Sequence, residues 1–464
     1  MSFMFYDLIF LAAFTLFVVS FLYTRRKNLK REGPMFLYRT QIGMKIIEYI
    51  GEKHKKLLHW LEYVVITAGY FLMAASIASI GYVVYVFVKM PEFFKVAKIP
   101  PIAPLIPYIG EIFNADYLPP FYFTYWIVVL AITAIFHEFF HGIFAKKNNV
   151  KIRSTGFAFL GPFLGAFVEQ DEKQMKKLKF KGQVSILAAG SFANLLLTLI
   201  FLVIIVLFSI FAFAPAGANF NYYPVAKISV SDVSYINGTL FSINLDGGIN
   251  LTEITANNKT YFAEPDSLKK NLSEMIIFED SPALRAGVLG IVTEFYGKKI
   301  NTPEDLRNEL EMKNPGDEVS IKFLVNKNEK ESRIILGARP DNSSKAYLGV
   351  ANLNVQSSGI FGKIRKAISF FREPNTYYAP KGSEELVIFI YNLLWWIILI
   401  NLSVALFNML PVGIFDGGRV FYLTVLKITK SKKMAQRSYS LVTYLFIAIF
   451  ALLTIMWLAS YFMK

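Results

Sequence analysis

"FHEFFHGIFAKK", residues 136–147, sets His137 and His141 four residues apart with Glu138 beside the first, at the end of an apolar run long enough to cross a bilayer. A charged residue at the centre of a membrane helix costs roughly 2.5–3.5 kcal/mol, so ionisable side chains there face a polar interior or one another rather than lipid. This stretch is therefore read as an inner helix of a membrane bundle, with its polar face turned toward a site.

The rest of the chain supports a bundle. Of 464 residues 54% are hydrophobic, with 44 Phe and 25 Tyr, well above the apolar share of an ordinary soluble domain. Apolar runs lie at about 3–24, 60–88, 121–145, 183–214, 386–411 and 438–462, which predicts an α-helical polytopic membrane protein of about six transmembrane helices. The first run lacks a basic leader and a small-residue cleavage site and is followed by "TRRKNLKRE", so it is read as a helix rather than a signal peptide.

The formal charge of +15 would fit a nucleic-acid partner until the charges are placed along the chain. Ten Lys and Arg fall between residues 25 and 59, nine between 146 and 181, and six between 419 and 437, all beside membrane runs. Short basic loops stay in the cytoplasm. This predicts extracytoplasmic termini, an extracytoplasmic insert at 215–385, and contact of the basic loops with the lipid bilayer; no nucleic-acid partner is expected. N-x-[ST] sequons at Asn237, Asn250, Asn258, Asn271 and Asn342 fall in the insert and agree with that orientation.

Four regions follow: 1–120, with two helices, a basic loop and a Pro-rich outer segment; 121–214, with "HEFFH"; the insert 215–385; and 386–464, with "NMLPVGIFDGG". The Pro-rich "KIPPIAPLIPYIGEIF" (98–113) cannot be one continuous helix, and reads as a loop or an interfacial segment. In the insert, "SPALRAG" (281–287) has an N-cap serine, proline at the first helical position and a glycine stop. "TPEDLRNELEM" (302–312) repeats that grammar, and "EVSIKFLV" and "ESRIIL" alternate around "NKNE" as a hairpin does. Together they predict a small α+β module.

Residues four apart on a helix can aim two imidazoles at one ion, and H-E-x-x-H places a glutamate to polarise the ion's water. Without cysteine, a zinc site needs a third His or acidic ligand from elsewhere. Lys147 stands where a following histidine would be, which leaves Glu169 in "GAFVEQDE" and Asp416 in "IFDGG". Asp416 is favoured, because Gly417 and Gly418 allow close backbone approach beside it.

With "HEFFH" (137–141), a Gly-x-x-x-Asn element in "AGSFANLL" (189–196) and "NMLPVGIFDGG" (408–418) in this order, the chain resembles the site-2 protease family, the intramembrane zinc metalloproteases. The resemblance covers about 121–214 and 386–437. It departs at Ser191, Gly413 and Phe415, where two prolines and a leucine are usual. It implies a Zn2+ site on His137, His141 and Asp416, Glu138 as general base, and Asn194 and Asn408 as substrate-binding residues. It also implies a transmembrane protein substrate, with "LGPFLGAFVE" (160–169) as a membrane-associated loop guiding it. Residues 275–350 resemble a PDZ domain of the kind attached to membrane-linked proteases, with Tyr296-Gly297 in place of the usual Asn-Gly turn. That resemblance implies a peptide ligand; a structural spacer is the alternative. Two other readings remain: a prenyl-peptide type of membrane zinc protease using Glu169 as third ligand, and a non-proteolytic metal-binding scaffold or transporter.

Overall fold

A computed structural model describes residues 3–90, 100, 103, 105–115, 118–160, 163–229, 233–243, 249–265, 274–326, 328–351 and 372–462. Among the described residues six helices are long and apolar enough to cross a membrane: α1 (Phe3–Thr24), α3 (Lys55–Lys89), α4 (Phe123–Lys147), α5 (Phe180–Ala212), α6 (Glu384–Asn408) and α8 (Lys432–Phe462). Each coincides with an expected apolar run. Two shorter helices accompany them, α2 (Met44–Lys53) and α7 (Asp416–Thr429). The helices begin earlier than hydropathy alone predicts, as at Lys55 and Lys432, because lysine is a good helix former and its stem can lie along apolar surface. The chain divides into two units, Met1–Ile205 with Ile388–Lys464, and Val206–Val387.

In the first unit α4 is the inner helix: 39% of its span is buried, against 11–33% for the others. Its first turns pack Phe123, Tyr125, Trp126 and Val129 against Trp396, Ile397 and Ile400 of α6. Its last turn packs Ile143, Phe144 and Ala145 with Val65 and Leu72 of α3 and Val184, Ile186 and Leu187 of α5. The N-terminus of α4 has no cap in its own sequence. Asp7 of α1, 2% exposed, supplies one: its carboxylate accepts from Phe123 N at 2.7 Å, Thr124 N at 2.9 Å and the Tyr108 hydroxyl at 2.6 Å. The described part of the Pro-rich segment folds back here, with one helical turn at Ile109–Ile112 and Leu105 O accepting from the Trp126 indole at 3.0 Å.

Beside the helices lies an antiparallel sheet, in the order β1 (Leu29–Glu32), β2 (Met35–Thr40), β3 (Ile152–Leu160), β4 (Phe163–Gln170). The expected loop at 160–169 is thus, over its described part, strand β4, whose Phe, Val and Ala residues suit a pleated surface. β4 is an edge strand, and α4 packs against it.

The second unit has two cores of its own. The expected hairpin pairs the strand Glu318–Val325 with the strand Asn328–Ile335. The two short helices run Pro282–Ala286, capped by the Ser281 hydroxyl and ended by Gly287 at φ 65°, and Pro303–Glu311, opened by a capping box of Thr302 and Asp305. The hairpin's sheet also takes the strands Phe213–Phe220 and Thr376–Pro380, so it extends beyond 275–350. Tyr296 and Gly297 make the tight turn with both φ positive, and Lys313 Nζ lies 3.3 Å from the centre of the tyrosine ring. A second, five-stranded antiparallel sheet spans residues 225–279; the sequence reading did not anticipate it. Of the sequons, Asn258 and Asn342 sit at exposed positions, Asn237 and Asn250 are in strands, and Asn271 lies outside the described residues.

Candidate metal centre

His137 and His141 are buried on one face of α4, their Nε2 atoms 3.0 Å apart. Asp416, the first residue of α7, sends Oδ2 to 3.6 Å from His137 Nε2 and 3.2 Å from His141 Nε2. The three ligand atoms lie within 4.8 Å of one another. Glycines let the backbones come this close. A Cβ at Gly190 of α5 would lie 2.4 Å from His141 Nε2 and 2.5 Å from His137 Nε2, so only glycine fits opposite the rings. A Cβ at Gly417 would strike the Met409 carbonyl at 2.3 Å, so the approach expected at the Gly417–Gly418 pair is to the turn after α6. At the unusual Gly413, the backbone N–H donates to Thr443 Oγ1 and the carbonyl accepts from the Tyr439 hydroxyl, both at 3.1 Å, which ties that turn to α8.

The ring orientations suit an ion held through Nε2. His141 Nδ1 lies 2.7 Å from the Ile186 carbonyl, which can only accept, so Nδ1 carries the proton and Nε2 the lone pair. His137 Nδ1 lies 3.0 Å from the Asn194 amide, whose Oδ1 has no partner among the described residues although the side chain is fully buried. The two ends of an amide are assigned from their partners. Turned over, Asn194 accepts from His137 Nδ1–H, the orphaned oxygen is satisfied and Nε2 is freed. Two imidazoles and a carboxylate with an open fourth position form the donor set of a catalytic zinc site, so the residues fit the metal.

Glu138 is half-buried on the wall of a cavity of about 650 Å³ that also bears His137, His141, Asp416 and Arg419. Val168 N of β4 donates to Glu138 Oε2 at 2.9 Å, which fixes the carboxylate at the mouth. Glu169 lines the same cavity, but its carboxylate is engaged elsewhere: it accepts from Arg39 Nε at 2.9 Å and from the Ser154 hydroxyl at 2.7 Å. It is not part of the His-His-Asp group. Asn408 Nδ2 lies 3.4 Å from His137 Nε2, on the ligand face of the ring, whereas Asn194 stands behind it. Sequence reasoning met Gly190 only as part of the Gly-x-x-x-Asn element and missed Val168 and Asp7; of these two only Asp7, a lone carboxylate in an apolar run, carried a signal that could have been read.

A buried HExxH helix completed by an aspartate from a second helix end, in a six-helix membrane bundle, defines a membrane metallopeptidase. The sequence profile of peptidase family M50 matches residues 125–453, and the chain belongs to that family, the site-2 proteases. It is also similar to the uncharacterized protein MJ0971 of Methanocaldococcus jannaschii, 25% identical over 402 residues that cover 85% of this chain and 79% of the relative.

Proposed function

We propose that the chain is an intramembrane zinc metalloprotease that hydrolyses peptide bonds in or near transmembrane helices of its substrates. The observation that carries this reading is the meeting of His137, His141 and Asp416 beside Glu138 on one cavity wall. Zinc held by the three ligands supplies Lewis-acid polarisation of the scissile carbonyl and a more acidic water. Glu138 acts as general base: Val168 N–H holds Oε2, and the other carboxylate oxygen takes the proton of the attacking water and delivers it to the leaving amine. Asn408 is placed to donate to the developing oxyanion, and Asn194 acts through the His137 ring. A helical substrate hides its carbonyls in i to i+4 bonds, so it must unwind before it enters, which favours substrates with helix-weakening residues.

The basic loops face the cytoplasm in this reading, with both termini and the insert 215–385 outside. In that insert, a groove of about 660 Å³ between the helix Pro303–Glu311 and residues 344–350 would take an extended peptide.

The first test is zinc analysis of the full chain in detergent after loosely bound metal is removed. About one zinc per chain is expected, kept in Glu169→Ala and lost in Asp416→Ala. Glu138→Gln should keep the zinc yet slow cleavage of a transmembrane substrate by about 10²–10⁴-fold. An unaltered chain that takes up no zinc, or a Glu138→Gln variant that cleaves at the parent rate, would sink the proposal.

A further inference from the structure

Two hollows lie in succession along α3. The first, about 520 Å³, is lined by Lys55, Lys56, His59 and Lys147. The second, about 660 Å³, is lined by Trp60, Tyr63, Val64, Thr67, Ala68 and Phe71, with Leu195 of α5 as its far wall. Residues 56, 59, 60, 63, 64, 67 and 71 follow the i, i+3, i+4, i+7 spacing of a single helix face, so the hollows are successive parts of one stripe. The His59 and Tyr63 rings meet edge to face at 6.4 Å at the junction, and Lys181 Nζ lies 3.5 Å from the centre of the Tyr63 ring.

We propose that this stripe binds one anionic phospholipid, its phosphate on Lys55 and Lys56 and one acyl chain in the groove from Trp60 to Phe71. Charge complementarity selects the headgroup. Among the described residues Lys55 Nζ bonds only a neutral acceptor, Asn149 Oδ1 at 3.2 Å, and Lys56 is exposed. The nearby carboxylate, Glu62, is 4% exposed and already taken by Lys147 at 2.7 Å and Lys181 at 3.1 Å. The basic hollow has no acidic lining to receive the cationic end of a zwitterionic headgroup. Depth selects an acyl chain. From Trp60 to Phe71 a helix rises about 16 Å, close to one leaflet's half of a hydrocarbon core roughly 30 Å thick. Trp60 and Tyr63 then fall at the interface, where such rings concentrate. The headgroup would sit at the C-terminal end of α4, where Lys147 closes the helix that carries His137, Glu138 and His141.

The test is native mass spectrometry of the full chain released from nanodiscs containing equal phosphatidylglycerol and phosphatidylcholine. One retained phosphatidylglycerol per chain is expected. Lys55→Gln and Lys56→Gln should each lower its occupancy about fivefold. Ala68→Trp should lower it without removing a charge, and Lys433→Gln, in the first turn of α8, should leave it unchanged. Equal retention of the two lipids, or an equal loss in Lys433→Gln, overturns the proposal. So does displacement by inorganic phosphate, which would mean that only the phosphate is bound. A photocrosslinker at Val64 that captures a protein helix instead of lipid also overturns it.

Discussion

In the proposed mechanism Asn194 acts through the His137 ring. Fully buried and bonded to Nδ1, it sets which ring nitrogen is left for the metal. This predicts a split between two variants. Asn194→Ala, which leaves Nδ1–H without an acceptor, should weaken zinc binding about 10–100-fold in a chelator competition. Asn194→Asp, which can only accept from Nδ1–H, should stay close to the parent. A residue that merely filled space between α4 and α5 would make both variants fail alike. Gly190 shows where single-residue reading reaches its limit. It was visible in the Gly-x-x-x-Asn spacing, but its contact with both rings depends on how α5 crosses α4, which no local pattern encodes.

Among the elements, α4 is held at its two ends by residues far away in the chain. Asp7 caps its first turn from α1, and Glu62 of α3 binds Lys147 in its last. Asp7→Ala would leave one buried and one part-buried backbone N–H group and the Tyr108 hydroxyl without their acceptor, so it should destabilise the protein by about 2 kcal/mol, read as a lower melting temperature in detergent. Loss of the melting difference between parent and variant would mean that water replaces the carboxylate. The sheet β1–β4 carries a weaker, acid-sensitive anchor. The Ser154 hydroxyl and the Arg39 guanidinium hold the Glu169 carboxyl below its usual range. A lowered folded value gives stability that is present above the unfolded value near 4 and is lost as pH falls through the folded one. With both side chains about one-third exposed the contribution is at most about 1 kcal/mol. Glu169→Gln should therefore melt slightly below the parent at pH 7, and the gap should close as the pH is lowered below 4. Hydropathy made the six helices legible because each run is long and local. The sheet was not, because β2 pairs with β3 across more than a hundred residues, Tyr38 opposite Phe157, and the sequence around β1 and β2 was informative only for its charge.

At the scale of the whole molecule, the placement of charge and the meeting of ligands bear on the same question. His141 lies near the C-terminal end of α4, and Asp416 follows the C-terminal end of α6, yet their side chains meet at 3.2 Å. Both helices therefore leave the bundle on the same face, as required if the loops after α4 and after α6, both rich in Lys and Arg, share the cytoplasmic side. In the proposed topology the same alternation would put the loop between α1 and α3 on that side and the chain between α5 and α6 opposite. The absence of cysteine makes this directly measurable, since one introduced thiol is the only thiol present. Lys259→Cys and Lys433→Cys both fall at exposed positions. A membrane-impermeant maleimide added to intact cells should label Lys259→Cys at once and Lys433→Cys only after permeabilisation. The reverse pattern would put the basic loops outside and the metal centre near the outer face, where water and substrate would have to enter from the other side of the membrane.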